Sequence, residues 1–288
     1  MILVVGATGA LGGMISRDLL SRGEAVRVLV RPGSEYGPLL ELGAQPVMGD
    51  LKDPDSLRRA CSDVMTVITT ANSAGRSGSD TTDAVDRRGN RALIDAAREA
   101  GTERFVFVSA LGASEESPVD FFRAKGETER HLRASGMTWT ILQPNLFMEV
   151  WVAMLVGMPL QQGEPVTLVG RGDHRHAMVS MHDVAAFAVA ALWHEAARNA
   201  TIVIGGPQAY SWTEVVHLAE SVLGRSIEIR HVPPGAPLPG LPPIAADVAA
   251  GFETYETVID MSAAVATYGV RLPTIEEFLQ RMLRPIDA

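Results

Sequence analysis

Apolar residues in the first 145 positions recur with two alternating periods. Short, mostly β-branched apolar runs occupy 2–5, 25–30, 44–47, 64–70, 104–108 and 138–142, and segments with helical spacing at 11–21, 54–61, 82–100 and 119–134 lie between them. The runs are continuous rather than alternating, so each strand is covered on both faces, as in a parallel sheet between helical layers. The alternation of strand and helix therefore predicts an α/β, Rossmann-like doubly wound parallel sheet. Gly23, Gly101 and Gly136 each follow the last periodic residue of a helix, where a left-handed cap is expected.

Beyond Pro144 the pattern breaks into smaller pieces. Strands are predicted at 165–169, 176–180, 201–204 and 227–232 and helices at 184–195, 212–223 and 273–283. The stretch 233–243 is rich in proline and glycine and reads as a loop, because proline cannot donate to a central ladder. The expected division is a dinucleotide-binding domain over 1–149 with return elements at about 178–206, and a small discontinuous substrate subdomain made of 150–177 and 207–288. The longest apolar stretch, 146–160, contains Glu149 and ends in Gly157-Met158-Pro159. It falls short of the ~20 residues a spanning helix needs and is expected to line a core or pocket.

Composition narrows the partners. A chain of 288 residues that is 47 % hydrophobic has a sizeable core to fill, which excludes disorder. Thirty-four acids against 25 bases give a net charge of −9, and no basic block exceeds the doublets Arg58-Arg59 and Arg87-Arg88. Nucleic acid and anionic membrane are thus not expected partners. Cys61 is the single cysteine, so an intramolecular disulfide is excluded, and a cytoplasmic location is expected. The chain opens on an apolar strand with no basic region before it, unlike a secretory signal.

The first chemical signal follows that opening strand: Gly6-Ala7-Thr8-Gly9-Ala10-Leu11-Gly12, leading into an apolar helix. Gly6 permits a tight turn, Gly9 lets backbone N–H groups approach a pyrophosphate, and Gly12 lets helix and strand pack closely. A glycine-rich surface turn is the plainer alternative; strand before and helix after favour a dinucleotide. The second strand ends Val28-Leu29-Val30-Arg31, without the acid that commonly accepts from the ribose 2′-hydroxyl of NAD. Arg31, with Ser34 behind it, suits a 2′-phosphate, so NADP is expected ahead of NAD; Arg31 could instead be solvated or paired with Glu35. Asp50 and Leu51 follow the third strand, and Thr69, Thr70 and Ala71 the fourth, at the sheet edge where such folds bind ligands. Asp50 could accept from the adenine amino group or cap the helix near Pro54.

With these segments placed, the chain resembles the NmrA-like branch of the atypical short-chain dehydrogenase/reductases. The resemblance rests on the glycine turn, Gly49-Asp50-Leu51, Phe105-Val106-Phe107-Val108-Ser109, Lys125, Ser135-Gly136-Met137-Thr138-Trp139-Thr140-Ile141-Leu142-Gln143-Pro144 with Phe147-Met148-Glu149, and Val179-Ser180-Met181-His182-Asp183-Val184-Ala185. It covers roughly residues 1–205. It implies NAD(P) across the top of the sheet, with the nicotinamide near Ser109, Lys125 and the turn Pro144, Asn145, Phe147. One departure stands out. The wider family uses a tyrosine four residues before the lysine as proton donor or acceptor, and here Phe121 holds that place; no tyrosine occurs between Tyr36 and Tyr210. Phenylalanine has no proton to give, so simple ketone reduction by that mechanism is not expected.

Three uses of the fold remain. Reduction of a conjugated, quinone-like aromatic acceptor needs less protonation in the hydride step; Lys125 would then hold the nicotinamide ribose, with Ser109 or Asn145 bonding the substrate oxygen. Lys125 could otherwise be a helix-surface lysine paired with Glu129. An oxygen-inserting monooxygenase of the aromatic polyketide tailoring kind, through a reduced quinone, is the second use. A non-enzymatic NAD(P)-sensing regulator is the third. Phe121, Phe122, Phe147, Met148, Trp151, Met154, Met158 and Met178 would suit a flat-ring pocket, though most individual members are expected to fill core. A small aromatic substrate is the expected partner, with a second copy of the chain as the other candidate. His174 and His176 could serve as pocket acid/base groups; for a metal they lack a third ligand, so no metal is expected. His182-Asp183 opens a helix, with Ser180 or Asp183 as its cap.

Overall fold

Four apolar residues, Ile2–Val5, form β1, and all four are buried because the strand is flanked on both edges and covered on both faces. The computed structural model describes residues 1–241 and 243–283. Around β1 stand β2 (Val26–Val30), β3 (Gln45–Met48), β4 (Thr66–Thr69), β5 (Arg104–Val108) and β6 (Thr138–Pro144); beyond β7 (Val166–Val169) in the chain, β8 (Ala200–Ile204) completes the sheet. The order is β3-β2-β1-β4-β5-β6-β8, and the register from β3 through β6 is parallel throughout. This is the Rossmann-like sheet expected from the continuous apolar runs. Its order reverses at β1/β4, the crevice where such sheets bind ligands.

Helices α1 (Ala10–Ser21), α2 (Gly37–Glu41), α3 (Pro54–Cys61), α4 (Asn90–Glu99) and α5 (Asp120–Arg133) connect these strands. One core is formed by Leu3, Leu57, Val67, Leu93, Ile94, Phe105 and Phe107, with Cys61 wholly enclosed. Burial pushes the Cys61 thiol up to about 12, so it stays protonated. The predicted helix over 82–100 is two pieces: a wide π-type segment, Thr82–Gly89, capped by the Thr81 hydroxyl, then α4. α2 spans five residues, too few for a period to show.

The chain divides into two compact units, the first made of Met1–Pro144, Val184–Val203 and Ala266–Val270, the second of Asn145–Asp183, Ile204–Val265 and Arg271–Ala288. In the second unit the apolar stretch after Pro144 becomes α6 (Met148–Val152), a π-type turn Ala153–Gly157, and α7 (Met158–Gln162). Then come α8 (Met181–Ala190), which crosses between the units' segments, α9 (Trp212–Leu223), β9 (Ile229–Val232), α10 (Pro243–Gly251), α11 (Ser262–Tyr268) and α12 (Ile275–Leu283). β7 and β9 pair in parallel, and Val152, Val156, Leu168, Val215, Phe252 and Leu279 form the second core. The strand expected over 176–180 is not a ladder strand. Its N–H groups go to different segments, His176 to Tyr210, Ala177 to Thr257 and Val179 to Leu146, which leaves isolated bridges only. Among the described residues no helix is long and apolar enough to cross a membrane.

Candidate functional site

The glycine turn is built by steric necessity. Gly6 has φ +89, in the left-handed region, and a Cβ there would meet Thr70 Oγ1 at 2.6 Å. A Cβ on Gly12 would stand 2.2 Å from the Gly6 carbonyl oxygen, so β1 and α1 approach as closely as they do only with glycine at both positions. Gly9 is the N-cap of α1 and no side chain caps the helix, which leaves its first N–H groups, including those of Ala10 and Leu11, open to an anion beside the exposed Thr8. This arrangement fits a dinucleotide pyrophosphate.

At the end of β2 the chain turns through Arg31-Pro32-Gly33-Ser34. The Ser34 N–H donates to the Arg31 carbonyl (3.1 Å), and Gly33 takes φ +78, the geometry of a type II turn with proline and glycine in its central places. A cavity of the first unit joins Gly6 and Thr8 to Arg31, Asp50, Arg76 and Asp80, with Leu29, Leu51 and Ala71 as its apolar wall. Arg31 pairs with Asp80 (2.6 Å), not with the nearby Glu35. Asp50 does not cap α3; that cap is Asp53, which accepts from the Asp55 N–H, while Asp50 Oδ1 accepts from the Lys52 N–H (2.8 Å). Thr69 and Ala71 are held by the buried Asn90: Thr69 Oγ1 donates to Asn90 Oδ1 (3.0 Å), and Asn90 Nδ2 donates to the carbonyls of Ala71 and Val85 (3.1 Å each).

Ser109 lies at the end of β5 with its hydroxyl buried and without a hydrogen-bond partner, a donor free for a ligand. Lys125 is only 2 % exposed and forms an ion pair with the fully buried Asp86 (3.2 Å), so the pairing with Glu129 is replaced; Glu129 accepts instead from Arg133 and Gln143. The Lys125 ammonium also faces the Val108 carbonyl (3.4 Å) and lies 4.9 Å and 5.5 Å from the ring centroids of Phe107 and Phe121. Burial pushes its pKa down while Asp86 pulls it back. Asp86 further accepts from the Ser73 N–H (2.9 Å).

In the second unit, Asn145 cannot donate to a substrate oxygen as expected: both N–H bonds of its amide are spent, on the Ala177 carbonyl (2.9 Å) and the Thr257 hydroxyl (2.8 Å). His176 is fully buried, Nε2 bonded to the Phe252 carbonyl (3.1 Å) and Nδ1 to Thr257 (3.1 Å). The carbonyl accepts, so the proton sits on Nε2, and burial keeps the ring neutral. No nitrogen is left for acid/base work. Met148 and Met178 are fully enclosed core residues, whereas Phe147 and Trp151 are half-buried, Trp151 edge-on to Phe252 (4.9 Å). Phe121 belongs to the first unit and packs edge-on against Phe122. His174 separates from His176 and joins Asp173 and Glu253, with one donor atom of each lying within 4.8 Å of the others. Ser180 Oγ, not Asp183, accepts from the His182 N–H (3.2 Å) at the start of α8.

A family profile described as NAD(P)H-binding matches residues 6–195. The NAD(P)H azoreductase of Xenophilus azovorans is 34 % identical over 227 residues, 79 % of this chain and 75 % of that protein. The chain belongs to the NmrA-like atypical short-chain dehydrogenase/reductases. Another relative within reach of this family is the photosystem II assembly factor Ycf39 of Synechocystis, 34 % identical over 232 residues, 81 % of this chain and 70 % of that protein. In fold, the NADPH-dependent quinone oxidoreductase QOR2 of Escherichia coli, solved with NADPH, superposes with a TM-score of 0.82 at 22 % identity, covering 99 % of this chain and all of that one.

Five polar residues of this NmrA-like chain escaped the sequence reading: Lys52, Arg76, Asp80, Asp86 and Asn90. Asp86 and Asn90 carried a signal, two polar residues four apart on an otherwise apolar helical face with Leu93 and Ile94. The other three lie in loops, where spacing carries no information.

Proposed function

We propose that the protein is an NADPH-dependent reductase of conjugated aromatic acceptors such as azo compounds and quinones. The observation that carries this reading is Phe121. The place of the family's tyrosine is filled by a ring that lies against the Lys125 ammonium and has no proton to transfer. Acceptors that spread the charge of an added hydride over a π-system tolerate that loss, because protonation can follow from water. The azoreductase relative supports the same acceptor class.

The uncapped N-terminus of α1 and the Gly6–Gly9 backbone would hold the pyrophosphate, and Arg31 the 2′-phosphate. When bound, the nicotinamide supplies hydride. Ser109, a buried hydroxyl with no partner, would donate to the oxygen or nitrogen on which charge develops.

A second reading, an assembly or regulatory protein that binds the cofactor without turnover, is favoured by the Ycf39 relatives. One assay separates them: NADPH oxidation followed against a panel of azo dyes and quinones and a panel of simple ketones, with and without oxygen. Turnover of the first panel alone is expected. No turnover with any acceptor supports the assembly reading, and oxygen uptake with a hydroxylated product supports the monooxygenase. Arg31→Ala should weaken NADPH binding about 10- to 100-fold, the worth of a charged hydrogen bond, and leave NADH unchanged.

A further inference from the structure

Asp80 gathers three cations. Its carboxylate accepts from Arg31 (2.6 Å), Lys52 and Arg76 (3.4 Å), with its side chain 12 % exposed. Lys52 also lies 3.5 Å from Asp50, but that acid holds no arginine. One carboxylate facing two guanidinium groups and an ammonium, in the wall of the cavity that contains the glycine turn, is the arrangement a phosphate dianion would receive there. The hydrogen bonds from Lys52 and Arg31 hold the Asp80 carboxyl down to about 2, so it is charged at any physiological pH.

The segment carrying Asp80 is an irregular stretch open to solvent. Residues 74–79 are exposed, and Gly75 and Gly78 take left-handed conformations with nothing near them. At one end the Ser73 N–H is fixed by Asp86; at the other the Asp80 carboxylate is held by Arg31 and Lys52 from outside the segment, Lys52 also donating to the Ser79 hydroxyl (3.4 Å), while Arg76 belongs to the segment itself. Beyond Asp80, Thr81 begins the π-type segment.

We propose that Asp80 is an internal stand-in for the cofactor's 2′-phosphate: it ties residues 74–80, which carry Arg76, to Arg31 and Lys52, and an incoming 2′-phosphate takes Arg31 and Lys52 from Asp80 and releases that tie. Asp80 thereby sets cofactor selectivity, because only a ligand bearing the phosphate replaces what it displaces. A 2′-hydroxyl leaves that tie in place. The inference rests on the NADPH reading above, and its test keeps the two apart.

Binding of adenosine 2′,5′-bisphosphate and of 5′-AMP is measured by calorimetry for the wild type, Asp80→Asn and Arg31→Ala. Asp80→Asn should tighten the bisphosphate about fivefold or more, since the competing internal ligand is gone, and leave 5′-AMP unchanged. In a second measurement Ser77→Cys carries a fluorophore, the only other thiol, Cys61, being buried; its emission should shift with the bisphosphate and not with 5′-AMP. If the wild type prefers the bisphosphate but Asp80→Asn does not tighten it and the label does not respond, the stand-in is overturned and the NADPH reading survives. If the wild type binds both nucleotides equally and Arg31→Ala changes neither, both fall. Weaker 5′-AMP binding by Asp80→Asn would also overturn the proposal, because it would make Asp80 a ribose ligand.

Discussion

Replacing Lys125 by methionine should destabilise the first unit severely without touching the cofactor. Lys125 and Asp86 are 2 % and 0 % exposed, and Asp86 Oδ1 has no hydrogen-bond donor, leaving the ammonium at 3.2 Å as its counter-charge. Lys125→Met leaves that carboxylate buried and uncompensated, a loss of ~3–5 kcal/mol. At ~2–4 °C per kcal/mol for a unit of this size, the unfolding midpoint should fall by about 6–20 °C in calorimetry. Asp86→Asn on the same background keeps an acceptor for the Ser73 N–H and removes the stranded charge. The double variant should therefore recover most of the loss, with a coupling of about 2–3 kcal/mol between the sites. Because the ammonium does not reach the surface, the double variant should bind NADPH within about threefold of the wild type, a difference below 1 kcal/mol. A single variant that costs less than ~1 kcal/mol, or a double variant no more stable than the single, would refute the buried-pair argument. A tenfold loss of NADPH affinity in a stable double variant would instead put Lys125 in the cofactor site.

Gly12→Ala places a Cβ 2.2 Å from the Gly6 carbonyl. Overpacking costs ~1–3 kcal/mol against ~1 kcal/mol gained in helix propensity, so stability should fall modestly while NADPH binding falls more than tenfold by titration; unchanged binding would remove the glycine turn from the site. Asp183 is buried with Oδ2 unpartnered, and burial, with Glu149 adding to it, raises its carboxyl from 3.8 to about 7. The folded state holds the extra proton, so this contribution is full below about pH 4 and is lost as pH rises through 7, by at most ~4 kcal/mol; Asp183→Asn should flatten that part of a pH–stability curve. Phe121→Tyr should fold and bind NADPH normally and gain slow reduction of simple ketones, since the ammonium 5.5 Å from the ring centroid would favour the tyrosinate; loss of cofactor binding would count against the placement of the start of α5, which carries Phe121, beside the nicotinamide.

The sheet was legible because parallel strands buried on both faces leave continuous apolar runs, and β1, β5 and the start of β6 coincide with those runs to the residue. Turn chemistry was partly local: Gly12 is constrained by the Gly6 carbonyl and the Arg31-Pro32-Gly33-Ser34 turn by its own four residues, whereas the crowding at Gly6 comes from Thr70, distant in sequence. What the pattern could not give were partners distant in sequence. A helical period offers Glu129 to Lys125, yet the chain brings Asp86 from the preceding helical segment, and nothing in either segment's spacing announces the pair. Asn145 looked like a free donor, but its amide is consumed by Ala177 and by Thr257, far along the chain. His176 was an acid/base candidate by type and is a core residue by context.

Phe121 and Asp86 face the same ammonium. An ammonium as deeply enclosed as that of Lys125 needs a counter-group, because an unpaired buried charge costs several kcal/mol. Were the residue four positions earlier a tyrosine, its oxygen could share that role; a phenylalanine ring offers only its face, worth about 2 kcal/mol for a desolvated ammonium. Asp86 supplies the missing charge, and with its second oxygen it fixes the Ser73 N–H, the root of the segment that ends at Asp80. The loss of the proton donor and the anchoring of the loop over Arg31 thus meet at a single carboxylate. The proposed acceptor specificity and the proposed selectivity for a 2′-phosphate thus both draw on Asp86.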